Sequence, residues 1–184
     1  MRRALAAGVL IVACMAVVAI ATAATGSIIE QRREAMKSMA AAAKTIGDMF
    51  QGRLRYDANK FKAAADLIRT RSGQALLDEF PPGSVGDRSQ AKIDIWAQWD
   101  EFQILAGRLS VLGAALAADI EGSANAIGSD MRMKPGTMMG GSLLGGRSKP
   151  LTEAELAGLR AEHAYHLMLE ACTGCHAKFR TKQD

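Results

Sequence analysis

The chain has 184 residues, with 23 Lys and Arg against 19 Asp and Glu, and is 49% hydrophobic but only 5% aromatic. That length suits one domain around one core. Setting aside a leader that carries Arg2 and Arg3 leaves 21 basic residues against 19 acidic ones, a near-neutral balance without the basic stripe that nucleic-acid binding requires.

The N-terminus reads as an export signal. Arg2 and Arg3 precede an uncharged run of 21 residues, Ala4 to Ala24, that ends in the small-residue sequence Ala21-Thr22-Ala23-Ala24. This order predicts a signal peptide over residues 1–23, cut near Ala23. The run is also long enough to span a bilayer, so an uncleaved anchor is the alternative, and only then is the membrane a partner. Ile11-Val12-Ala13-Cys14 resembles a lipoprotein processing box, but the apolar run continues to Ile20, which argues against cleavage there. With Cys14 in the leader, the mature domain over 27–184 keeps two cysteines and no disulfide framework.

Along that domain, apolar residues from Ile28 to Phe50 recur in steps of three and four, predicting a first helix from Ser27 to Gln51 closed by Gly52. Asp57 is an N-cap candidate for a second helix marked by Phe61, Ala64, Ala65, Ile68, Ala75 and Leu76, which must end before Pro81 and Pro82. Phe80 to Ala91 reads as loop. A third helix is predicted from Asp94 to Glu121, with Trp96, Trp99, Phe102, Leu105, Leu109, Leu112 and Leu116 on one stripe and Gly122 as its stop.

Met131 to Pro150 is rich in glycine, has two prolines and no sustained period, and reads as a flexible insertion. Its methionines, Met131, Met133, Met138 and Met139, are soft enough to bind Cu(I), yet no Cys or His accompanies them, so an adventitious loop is the reading adopted. Thr152 and Glu155 form a capping-box pattern, after which Leu156, Leu159, His163, Leu167 and Met168 carry a fourth helix into Cys172-Thr173-Gly174-Cys175-His176.

That C-x-x-C-H box is the attachment pattern of a c-type haem. Two thiols must reach two vinyl groups on one porphyrin edge, and the imidazole that follows must turn back to the iron. Positions i, i+3 and i+4 share one helix face. A zinc site needs four ligands, and His166 lies about 9 Å of helical rise from Cys172, too far for a compact tetrahedron without a partner chain. Redox dithiol chemistry calls for a βαβ setting and a helix N-terminus, and neither is predicted. His163 and His166 are expected to be helix-surface or packing residues.

Four amphipathic helices without strands predict an all-α, antiparallel four-helix bundle, in which alanine clusters such as Ala40–Ala43 and Ala63–Ala65 either serve simply as good helix formers or also leave room for a flat macrocycle.

Cys172-Thr173-Gly174-Cys175-His176-Ala177-Lys178-Phe179-Arg180, the first-helix stretch Arg32-Arg33-Glu34-Ala35-Met36-Lys37-Ser38-Met39, Tyr56-Asp57-Ala58, Phe80-Pro81-Pro82-Gly83-Ser84 and Ile95-Trp96 together resemble the cytochrome c′ family. The resemblance implies one covalent haem c in a periplasmic electron-transfer protein that is not an enzyme. It makes Cys172 and Cys175 the thioether anchors, His176 the proximal iron ligand, Arg180 a cation on the proximal side, and Arg32 a basic residue near the haem propionates. At Met36 it implies either a shield over an open site that binds a diatomic gas such as nitric oxide or carbon monoxide, or a sixth ligand as in low-spin Met/His relatives. A redox partner protein and a homodimer are the expected associations. A gas-binding protein without a redox partner, and more remotely a haem-free bundle whose cysteines bind metal, are the other readings. The insertion at 131–150 departs from the short connection of similar proteins.

Overall fold

The computed structural model describes residues 28–85, 89–118, 120, 126–134 and 159–181. The leader, the capping-box residues Thr152 and Glu155, and Met138 and Met139 all lie outside them. Among the described residues there are six helices and no strand beyond an isolated bridge. These are α1 (28–50), α2 (Ala58–Arg71), α3 (Gln74–Asp78), α4 (Asp94–Ala97), α5 (Trp99–Ala118) and α6 (Ala161–Phe179).

α1 ends where Gly52 takes a φ of 71°, the left-handed conformation that lets the chain fold back over the last carbonyls. Its amide bonds the Met49 carbonyl at 3.2 Å. Asp57 then caps α2 through its side chain, which accepts from the Lys60 amide at 3.0 Å.

Two predicted helices are interrupted. The second breaks at Ser72 and Gly73, because Gly73 adopts a φ of 60° and its amide leaves the helix to bond the Ala106 carbonyl on α5 at 2.9 Å. The third breaks at Gln98, between α4 and α5, which leaves Trp96 and Trp99 half-buried while Phe102, Leu105, Leu109, Leu112 and Leu116 stay in the core.

The four long helices run up, down, up and down. Phe50 near the end of α1 meets Phe61 near the start of α2, with ring centroids 5.5 Å apart. Further along, α2 is antiparallel to α5, since Arg69 lies against Gly113 and Gly73 against Ala106. At the other end Phe102 on α5 meets Phe179 on α6 at 5.6 Å. Gly113 permits the α2–α5 approach: a Cβ there would lie 2.8 Å from the Arg69 backbone nitrogen. By length and composition α5 could cross a membrane, but its apolar residues bury against α2 and α6.

Apolar burial forms two clusters. The larger holds Ile46, Phe61, Ile68, Leu112, Leu116 and Met168 in the body of the bundle. The smaller holds Leu76, Phe80, Ile95, Phe102, Cys175 and Phe179 at the end where α6 finishes.

The expected flexible insertion does not begin at Met131. That side chain is 0% exposed within the larger cluster, so it is a core residue and not a thioether available to a metal. Its carbonyl accepts from the Glu162 amide at 2.9 Å, and the Glu162 carboxylate accepts from Arg132 and the Met133 amide, both at 2.8 Å. Residues 126–134 are thereby docked on the start of α6.

Candidate cofactor site

The last turns of α6 present Cys175 and His176 to a cavity of about 410 Å³, within the range of about 300–1,000 Å³ usual for small-molecule sites. α1 supplies a second wall through Ile29, Arg33, Met36 and Ala40, whose spacing of three and four places them on one face. Phe80, Phe102 and Phe179 complete an aromatic wall, with Phe80 and Phe102 centroids 4.8 Å apart. Met36 and His176 thus face the same space from α1 and α6.

The cavity is closed on one flank by residues 89–92, laid along the end of α6. Ala91 and Arg180 form an antiparallel bridge. The Lys92 amide bonds the Phe179 carbonyl at 2.8 Å, the Lys92 Nζ bonds the Lys178 carbonyl at 3.0 Å, and the Thr181 amide bonds the Gln90 carbonyl at 2.8 Å. A helix end leaves its last four carbonyls without intrahelical donors. Here an extended segment supplies donors and holds the Cys175-His176 turn in place. Arg180 Nε donates to Gln90 Oε1 at 2.9 Å, which sets its guanidinium at the cavity rim.

The charged residues that line the cavity are all basic: Arg32, Arg33, Lys37 and Arg180, beside the rim imidazole of His176. Burial pushes the Cys172 thiol up to about 11 and the Cys175 thiol up to about 12, so both are protonated at neutral pH. His176 is lowered from its ordinary value, first by desolvation among its neighbours and then by Arg180. The residue still presents area to solvent, as expected at a rim.

Five of the six expected site residues, Arg32, Met36, Cys175, His176 and Arg180, line this cavity. Cys172 lies one helical turn back, half-buried against the larger cluster. His163 and His166 do not line it; both are half-buried, and His166 packs edge-on against Tyr165 at 5.7 Å. Arg32 is 6% exposed and committed to protein groups. Its Nε bonds the Glu79 carbonyl at 3.1 Å, Nη2 bonds Glu79 O and Ser84 Oγ at 2.5 and 2.8 Å, and Nη1 bonds Ser84 O and Ser89 Oγ at 3.4 and 3.2 Å.

Sequence reasoning missed the aromatic wall and the strap at 89–92. Ile29 and Met36 were legible as part of the apolar periodicity of α1, but nothing in it distinguished a cavity face from a core face. Gln90 carries no sequence signal, since its role depends on a contact 90 positions away.

A macrocycle with an apolar body and two carboxylates fits this arrangement. Aromatic rings flank the space, cations line it without a carboxylate among them, and a thiol and an imidazole enter it from adjacent positions of one helix. The profile of the cytochrome c′ family matches residues 27–134. That match stops before the C-x-x-C-H box, so the box is a separate indication. Among curated proteins none matches the sequence. Solved structures share the fold. Cytochrome c′ from Rubrivivax gelatinosus is 22% identical with a TM-score of 0.59, over 85% of this chain and 97% of its own. The protein from Shewanella frigidimarina is 19% identical with a TM-score of 0.60, over 86% and 97%. A nitric oxide complex of a variant cytochrome c′ from Alcaligenes xylosoxidans is 18% identical with a TM-score of 0.59, over 86% and 97%. With a family profile covering more than half of the sequence, a matching bundle and a cavity suited to a porphyrin, the chain belongs to the cytochrome c′ family, whose members carry one covalently attached haem c.

Proposed function

We propose that this is an exported mono-haem cytochrome that carries electrons in the periplasm and does not turn over a substrate. Cys172 and Cys175 hold the porphyrin by thioether bonds, His176 is the proximal ligand, and Met36 presents its thioether from the other wall. The single observation behind this reading is that Met36 and His176, from α1 and α6, line one cavity. Bound there, the haem supplies a one-electron couple, and a methionine ligand raises its potential. The chain's own groups do the rest: Phe80, Phe102 and Phe179 exclude water, and the basic lining offsets the carboxylates. Arg180, held by Gln90, keeps a positive charge beside His176. Residues 1–23 are the export leader in this reading, or an inner-membrane anchor where they are retained.

A second reading has a specific observation in its favour. A relative of the same fold was solved with nitric oxide bound, and Met36 is only partly buried, so it can serve as a cover over an open position. One measurement separates the two. The optical spectrum of the reduced holoprotein is unaffected by carbon monoxide if Met36 ligates, whereas a ready carbon monoxide adduct in the wild type assigns the protein to gas binding. Haem that separates from the polypeptide in acid acetone would refute covalent attachment through Cys172 and Cys175.

A further inference from the structure

Arg32 occupies the position where the family resemblance implies a cation for the haem carboxylates, yet its surroundings describe another task. A guanidinium has five N–H donors in a fixed planar fork. Arg32 makes five hydrogen bonds, to the carbonyls of Glu79 and Ser84 and the hydroxyls of Ser84 and Ser89. Every acceptor lies 47 to 57 positions from Arg32 in sequence. Its Cζ also lies over the Phe80 ring, 3.8 Å from the centroid. Ser84 is itself 3% exposed, so this is an interior network and not a surface contact. Burial lowers Arg32 from its ordinary value, and the nearby Glu79 carboxylate works against that shift.

We infer that Arg32 is a positioning residue that holds Phe80 and the Glu79–Ser84 turn as a fixed wall of the haem cavity. The inference rests on the haem-cavity reading. Phe80 is the link: it lines the cavity, packs against the Arg32 guanidinium and the Phe102 ring, and its carbonyl accepts from the Trp96 indole at 3.1 Å. Removing the fork leaves two carbonyls and two hydroxyls to find new donors and frees the ring that the macrocycle must meet.

The test uses the holoprotein and three variants: Arg32→Ala, Arg32→Lys, and the pair Ser84→Ala with Ser89→Ala, which removes both hydroxyl acceptors but keeps the guanidinium. Hydrogen exchange of the peptide over residues 76–85 is read by mass spectrometry, beside Soret-region circular dichroism, which senses aromatic rings around the porphyrin. A positioning role predicts that exchange rises about tenfold in both Arg32 variants and rises in the serine pair, with a Soret change in each. It also predicts that the serine substitutions add nothing once Arg32 is alanine. Lysine keeps the charge and loses the fork, so wild-type behaviour in Arg32→Lys would overturn the proposal in favour of a charge contact with the haem. A serine pair indistinguishable from wild type would overturn it as well, and that variant decides the matter even where Arg32→Ala does not fold. Failure of haem to attach to the wild-type chain would refute the functional reading instead, a separate outcome visible before any variant is made.

Discussion

Met36 carries the mechanistic choice because it is the sulfur donor on the α1 wall of the cavity that His176 enters from α6. A thioether ligand gives a weak sulfur-to-iron charge-transfer band in the far red of the oxidised protein. Met36→Leu is expected to abolish that band and leave a haem that binds carbon monoxide, as recorded by optical titration. Leucine is close to methionine in volume, so the substitution tests ligation with little packing loss, about 1.5 kcal/mol or less. On the facing wall, His176→Ala is expected to prevent stable haem maturation or remove the nitrogen ligand, seen as a changed ferrous spectrum. Equivalent changes at His163 and His166 should leave the spectrum unaltered, because neither residue lines the cavity.

Between elements, the approach of α2 to α5 is governed by glycine. Gly113 lies mid-helix in α5, where intrinsic propensity favours alanine by about 1 kcal/mol. Yet an added methyl would sit 2.8 Å from the Arg69 nitrogen and 3.0 Å from its Cα, both backbone atoms that cannot swing aside. Overpacking of this kind costs about 1–3 kcal/mol and exceeds the propensity gain. Gly113→Ala is therefore expected to lower stability in urea unfolding, against the trend for an ordinary helical glycine. Helix breaks follow the same logic. Gly73 ends the second helix by taking a φ of 60° while its amide bonds the Ala106 carbonyl on α5, and beyond this interruption Leu76, Leu77 and Phe80 lie at the cavity end.

Across the whole molecule, acid sensitivity has an identifiable origin. Asp48 lies below the usual carboxylate range because Lys44 and Arg53 both hydrogen-bond its oxygens, and Asp66 does so through Lys62 and then Arg69. Both carboxylates bind protons more weakly folded than unfolded. Their contribution is thus present above the ordinary value near 3.8 and is lost as pH falls below it through the folded values. Asp48→Asn should lower stability slightly in the neutral region, since exposed pairs stabilise weakly, and flatten the acid limb by the same amount while leaving stability below the folded value unchanged. Chemical denaturation at stepped pH checks this. The polar surface is otherwise laced with pairs such as Arg33–Glu30 and Lys37–Glu34, three apart on α1.

The all-α class, the Asp57 cap, the Gly52 stop and the C-x-x-C-H spacing are all local facts. Periodicity, capping chemistry and ligand spacing act within a few residues, so the amino-acid order alone determined them. Cys175 and His176 were legible for the same reason. The tertiary structure decided the rest, because the deciding contacts join residues far apart in the chain. Arg32 finds its acceptors 47 to 57 residues away, and Gln90 meets Arg180 across 90. Met131, read as the start of a loose loop, is core because the adjoining backbone bonds the start of α6. A basic side chain reads alike whether it faces water, a propionate or a turn of its own chain. Only the packing of α1 against the Phe80 turn settles which carbonyls come within reach of its donors.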